Sequence, residues 1–80
     1  MDTRYELFIM STCPYCQKVL RYMEGGIELP LLDITRDPAA RERLVEVGGK
    51  AQVPCLFIDG APLYESDDII AYLKEHVAQA

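Results

Sequence analysis

Eighty residues, half of them apolar and 26% charged, describe one globular domain over residues 1–80, since domains run from about 50 to 250 residues around a single core. Thirteen acidic side chains against eight basic ones give a net charge of −5, which repels phosphate backbones and anionic headgroups, so no nucleic acid and no membrane surface is expected as a partner. The apolar runs at 7–10, 29–32 and 53–58 fall far short of the ~20 residues that span a bilayer, and no secretory leader pattern opens the chain. A cytoplasmic location is expected.

In chain order, Tyr5 to Met10 is apolar enough for a buried strand, and Ser11-Thr12 is a helix-capping pair ahead of Pro14, which suits a first helical turn. Val19, Leu20, Tyr22 and Met23 then fall at helical spacing, and Gly25-Gly26 stops that helix. Glu28 to Ile34 is a second strand, placed at a sheet edge by Pro30. Asp37-Pro38 caps and opens a helix through Arg41, Leu44, Val45 and Val47 that ends at Gly48-Gly49. Cys55 to Ile58 and Ala61 to Tyr64 are strands joined by the hairpin signal Asp59-Gly60. Ser66, with Asp67 and Asp68, caps a last helix whose apolar stripe is Ile69, Ile70, Tyr72, Leu73 and Val77. The order β-α-β-α-β-β-α asks for a parallel βαβ unit joined to a hairpin in one four-stranded mixed sheet, with helices on both faces. A thioredoxin-like three-layer α/β/α sandwich satisfies it.

Three cysteines are too few, and of the wrong parity, for a disulfide-stapled framework, and Cys13 and Cys16 form a Cys-x-x-Cys at a strand-to-helix junction. The N–H groups and positive dipole end of a first helical turn stabilise an anion, which makes Cys13 the expected thiolate nucleophile. Cys16, one turn on, is close enough to form a disulfide with it and is expected to be more buried and less reactive. Two other readings compete. A zinc site would have to draw on Cys55 and His76, which form no second short-spaced pair, and no metal is expected. Inert core cysteines would not need a helix corner.

Cys13-Pro14-Tyr15-Cys16, Val53-Pro54 before a strand, and Ser66-Asp67-Asp68 before the last helix together resemble the glutaredoxins over essentially the whole chain. The resemblance implies a dithiol oxidoreductase with glutathione as co-substrate and Pro54 cis beside the thiols, although an isolated X-Pro bond would be trans on base rates. It implies that the Val53 backbone pairs with the cysteinyl part of glutathione. Ser66, Asp67 and the adjoining N–H groups would take the γ-glutamyl end, and these residues also read as a plain N-cap and a dipole-matched acid. Arg41, thirteen residues before Pro54, matches a Gln or Arg that reaches the glycyl carboxylate; otherwise it lies on a solvated helix face. Tyr15 would border the site as an apolar wall with its hydroxyl exposed.

The departures bear on the subfamily. Met10 stands three residues before Cys13 where the family carries Lys or Arg, Gln52 replaces a Thr, and Tyr64-Glu65 replaces Gly-Gly. Glu65-Ser66 is also similar to the pair that grips the γ-glutamyl group in the N-terminal domain of glutathione transferases. Cys55 is either a small buried hydrophobe or a third redox thiol, and His76 reads as a cation favoured in a last helical turn. The function implied is reduction of protein disulfides and protein-glutathione mixed disulfides, by a monomer served indirectly by a flavoenzyme reductase. Two alternatives are a redoxin reduced by a thioredoxin reductase-type enzyme and a non-catalytic module that binds glutathione or an iron-sulfur cluster.

Overall fold

The structure is a computed structural model and describes residues 3–77. Strand β1, Tyr5–Ile9, alternates its side chains across the sheet: Leu7 and Ile9 point to one face and Phe8 to the other. Helix α1, Pro14–Met23, follows at once, and β2, Leu31–Asp33, returns parallel to β1 with Leu7 opposite Leu31 and Ile9 opposite Asp33. Helix α2, Pro38–Arg43, leads to the antiparallel pair β3, Cys55–Ile58, and β4, Ala61–Tyr64. Helix α3, Ser66–Tyr72, follows β4. The sheet order is β2-β1-β3-β4, so β4, which contains Pro62, and β2, which follows Pro30, lie at edges, while β3 follows Pro54 and is central.

Helices α1 and α3 cover one face of the sheet, where Val19, Met23, Ile69 and Leu73 pack on Leu7, Ile9 and Leu56. Helix α2 covers the other, where Ala40 and Leu44 pack with Phe8, Cys55 and Phe57, the two aromatic rings 4.5 Å apart. This is the three-layer thioredoxin-like sandwich expected from the element order. Asp59 and Gly60 turn the hairpin with positive φ at both positions, the backbone that a two-residue hairpin with right-handed strand twist requires.

Some local expectations are corrected. Neither capping side chain expected at the starts of α1 and α3 is the cap: Cys13 and Glu65 occupy those positions, neither with a side-chain cap bond. Asp37 does cap α2, accepting from the amides of Ala39 and Ala40. Strand β2 is shorter than the expected 28–34, because Pro30 has no N–H for the ladder and contributes only its carbonyl, to Leu7. Helices α2 and α3 both continue as π-type turns, Leu44–Gly48 and Leu73–Val77. In the first of these Leu44 is buried, but Val45 and Val47 face solvent. His76 lies in the last turn, as expected, and stacks on the Tyr72 ring at 4.5 Å.

Candidate active site

The site begins where β1 ends. After Met10 the chain makes a turn closed by the Cys13 amide donating to the Met10 carbonyl at 3.1 Å, which delivers Cys13 to the N-cap position of α1 with φ −87° and ψ 121°. No side chain satisfies the amides of that first turn, so they remain available to an anionic sulfur or ligand. Cys13 is half-buried, and Cys16 is fully buried among Leu7, Val19 and Leu56. The Met10 amide donates to the Cys16 sulfur at 3.4 Å. Burial nevertheless pushes the Cys16 thiol up to about 12, with the neighbouring Cys13 adding in the same direction. One thiol is accessible at a helix start and the other is held protonated beneath it.

Beside the thiols lies a cleft of about 430 Å³ with three walls. Tyr15 and Lys18 of α1 form the first, Tyr15 with 63% of its surface exposed. The second is Gln52, Val53 and Pro54, joined by a cis Val53-Pro54 bond. The third is Glu65, Ser66 and Asp67 at the start of α3. Glu65 adopts φ +79°, a backbone that favours glycine. The last two walls are tied together: Gln52 donates to the Glu65 carboxylate at 3.3 Å, and the Tyr64 hydroxyl donates to the Lys50 carbonyl at 3.0 Å while the Lys50 ammonium lies 4.6 Å from the Tyr64 ring centroid. The first and third walls are joined by an ion pair between Lys18 and Asp67.

Six of the nine candidate residues thus line one cleft. Tyr15, Val53, Pro54, Glu65, Ser66 and Asp67 line the cleft, with Cys16 buried under the start of α1. Cys13 holds the N-cap position before Pro14 and Arg41 is exposed on α2; neither is among the residues that line the cleft. Cys55 is fully buried on the α2 face, where burial raises its thiol to about 11 despite a contact with the Tyr64 hydroxyl. Lys18 and Gln52 were not expected in a binding role. Lys18 stands three residues after Tyr15 and so on the same helix face, a spacing that would have identified it. Among the described residues no group of three or more His, Cys, Asp or Glu side chains could hold a metal ion, and no helix is long and apolar enough to cross a membrane.

Comparison with known proteins places this geometry. The glutaredoxin family model matches residues 5–62. Glutaredoxin 3 of Escherichia coli strain K12 is 31% identical over 67 residues, covering 82% of this chain and 81% of that protein. Among solved structures, the thioredoxin-like protein BC3987 superposes with a TM-score of 0.75 at 25% identity, over 90% of this chain and 97% of that one. A buckwheat glutaredoxin-glutathione complex gives 0.70 at 19%, over 91% and 70%. A delta-class glutathione transferase from Nilaparvata lugens gives 0.75 at 23%, over 95% of this chain and 37% of that one. The structural likenesses show the thioredoxin-like fold, and the family match over most of the chain, with the E. coli relative, shows that this chain belongs to the glutaredoxin family.

Proposed function

We propose that the protein is a glutathione-dependent thiol-disulfide oxidoreductase that reduces protein disulfides and protein-glutathione mixed disulfides. The observation that carries the reading is the convergence, beside a half-buried cysteine at the N-cap of α1, of a cis Val53-Pro54 peptide and the Ser66-Asp67 helix start around one cleft. The Cys13 thiolate attacks the glutathionyl sulfur of a mixed disulfide; the S–S bond breaks, the substrate cysteine leaves as its thiolate, and a Cys13-glutathione disulfide remains. A second glutathione thiolate then attacks that disulfide and departs as oxidised glutathione. Alternatively, Cys16 gives up its proton and attacks Cys13, releasing glutathione and leaving the intramolecular disulfide for later reduction. Glutathione lies along Val53 with its γ-glutamyl ammonium on Asp67, between Tyr15 and Glu65, and its carboxylate toward Ser66. Arg41, exposed on α2, is the group assigned to the glycyl carboxylate. Glutathione, kept reduced by a flavoenzyme, is then the electron source for a monomeric cytoplasmic enzyme, and no resident metal takes part.

The test is reduction of a glutathione mixed disulfide by the purified protein, coupled to glutathione reductase, with Cys13→Ser as the blank. Turnover lost in the variant supports the reading. One observation favours a second reading: Met10 contributes no cation, and Glu65 and Asp67 make the cleft acidic. No turnover, with the Cys13-Cys16 disulfide reduced instead by a thioredoxin reductase, would establish a redoxin served by that enzyme.

A further inference from the structure

Glutathione brings two carboxylates and one ammonium, yet Lys18 is the one cation among the described residues that line the cleft. It is not free in the cleft. Its ammonium is paired with the Asp67 carboxylate across the gap between α1 and α3. Both groups remain open to solvent, at 52% and 81% side-chain exposure, so a ligand can reach either without unpacking the core. An ammonium and a carboxylate held side by side form a dipole, and its complement is a second pair of opposite sense. The γ-glutamyl end of glutathione carries such a pair, a free amino group and a free carboxylate on one carbon atom. Set against Lys18 and Asp67 it closes a ring of four alternating charges, in which each carboxylate meets an ammonium.

We infer that Lys18 is a specificity-determining binding residue: together with Asp67 it recognises the α-amino acid zwitterion of the γ-glutamyl group, Lys18 taking the carboxylate and Asp67 the ammonium. The assignment rests on the glutathione reading above and deepens it, by naming the chemical feature that the site selects. Thiols that lack a free α-amino acid end lose both contacts.

The experiment compares two mixed disulfides of one fluorescent cysteine peptide, with glutathione and with cysteinylglycine, which lacks the γ-glutamyl group. Reduced protein is mixed with each, and single-turnover release of the peptide thiol is followed to saturation; the protein's own Cys13 supplies the electrons. The parent protein and Lys74→Met, which removes an exposed lysine elsewhere on the surface, are expected to prefer the glutathione substrate. Lys18→Met is expected to lower that preference about three- to fivefold, the scale of one exposed charge pair, through half-saturation and not through the maximal rate. Lys18→Arg keeps the charge and restores the preference. A preference unchanged or raised in Lys18→Met overturns the assignment, because Lys18 would then only neutralise Asp67 or compete with the ligand ammonium. Equal rates on both substrates in the parent protein would instead remove the glutathione site itself.

Discussion

The Met10 amide and the Cys16 sulfur are 3.4 Å apart in a hydrogen bond that fastens the end of β1 to the buried thiol beneath α1. That bond favours the thiolate, but burial outweighs it and lifts Cys16 from the ordinary thiol value of 9.0 to about 12. A raised thiol value means that the folded chain keeps a proton which the unfolded chain releases between those two values. The associated stability is complete below pH 9 and is lost as the pH rises toward 12. Cys55, lifted to about 11, acts in the same direction. Under a phosphine reductant, the thermal midpoint should therefore fall across about pH 9–11, and less steeply in Cys16→Ala than in the parent protein. Parallel slopes would contradict the burial of that proton.

The same contrast between the two thiols separates the two routes of reduction. Cys16→Ser should keep most of the reduction of glutathione mixed disulfides, which needs Cys13 and a second glutathione, and should abolish reduction of protein disulfides through the dithiol. Cys13→Ser should abolish both. Parallel assays of each variant on a glutathionylated protein and on a protein disulfide decide it, and a Cys16→Ser variant inactive in both would show that release always passes through the intramolecular disulfide.

Much of this was legible in the chain because local signals agreed with one another. The apolar run from Tyr5 to Met10, the Cys-Pro-Tyr-Cys corner, Asp37-Pro38 and the Asp59-Gly60 hairpin each point to one element, and together to one topology. The contacts between walls were less legible. Lys18 and Asp67 are forty-nine residues apart and Gln52 and Glu65 thirteen, so each reads as a solvated polar residue until the fold brings the pairs together. Helix starts misled for a local reason. Ser66 looks like a cap, but the positive φ at Glu65 begins the helix one residue early and makes Ser66 its first member. Arg41 is exposed on α2 and does not line the cleft, so its place in the site rests on its spacing from Pro54 alone.

Tyr64, one residue before the third wall, donates its hydroxyl to the carbonyl of Lys50, two residues before the second. Gly48 makes room for that hydroxyl, since a Cβ there would collide with it. Tyr64→Phe should cost about 0.5–1.5 kcal/mol, the net worth of one hydrogen bond, and so lower the thermal midpoint by several degrees. Tyr64 touches neither thiol of the pair, so the catalytic effect should be a raised KM for the glutathione substrate with kcat little altered. A kcat loss without a KM change would place Tyr64 in the chemistry instead. Gly48→Ala should reproduce the KM effect with a larger loss of stability, about 1–3 kcal/mol, because it overpacks a filled contact.

Glu65 carries a φ of +79° that costs an ordinary L-residue on the order of 1–2 kcal/mol relative to glycine. Glycine at this position gives back part of that gain, about 0.5–1 kcal/mol, through the greater freedom of the unfolded chain. Glu65→Gly is therefore expected to be neutral or more stable by up to about 1 kcal/mol, whereas Glu65→Val, with its branched Cβ, should be less stable by about 1–2 kcal/mol. The bond from Gln52 does not change the sign, because at 3.3 Å and exposed it contributes little. The strain persists at a residue whose carboxylate lines the cleft, which is where strained backbone is retained for binding. Glu65→Gly should accordingly raise the thermal midpoint and weaken glutathione binding in the same protein, with both read from one ligand-concentration series of melting curves. A variant that gains stability and binds glutathione unchanged would show that the side chain at 65 is not part of the site.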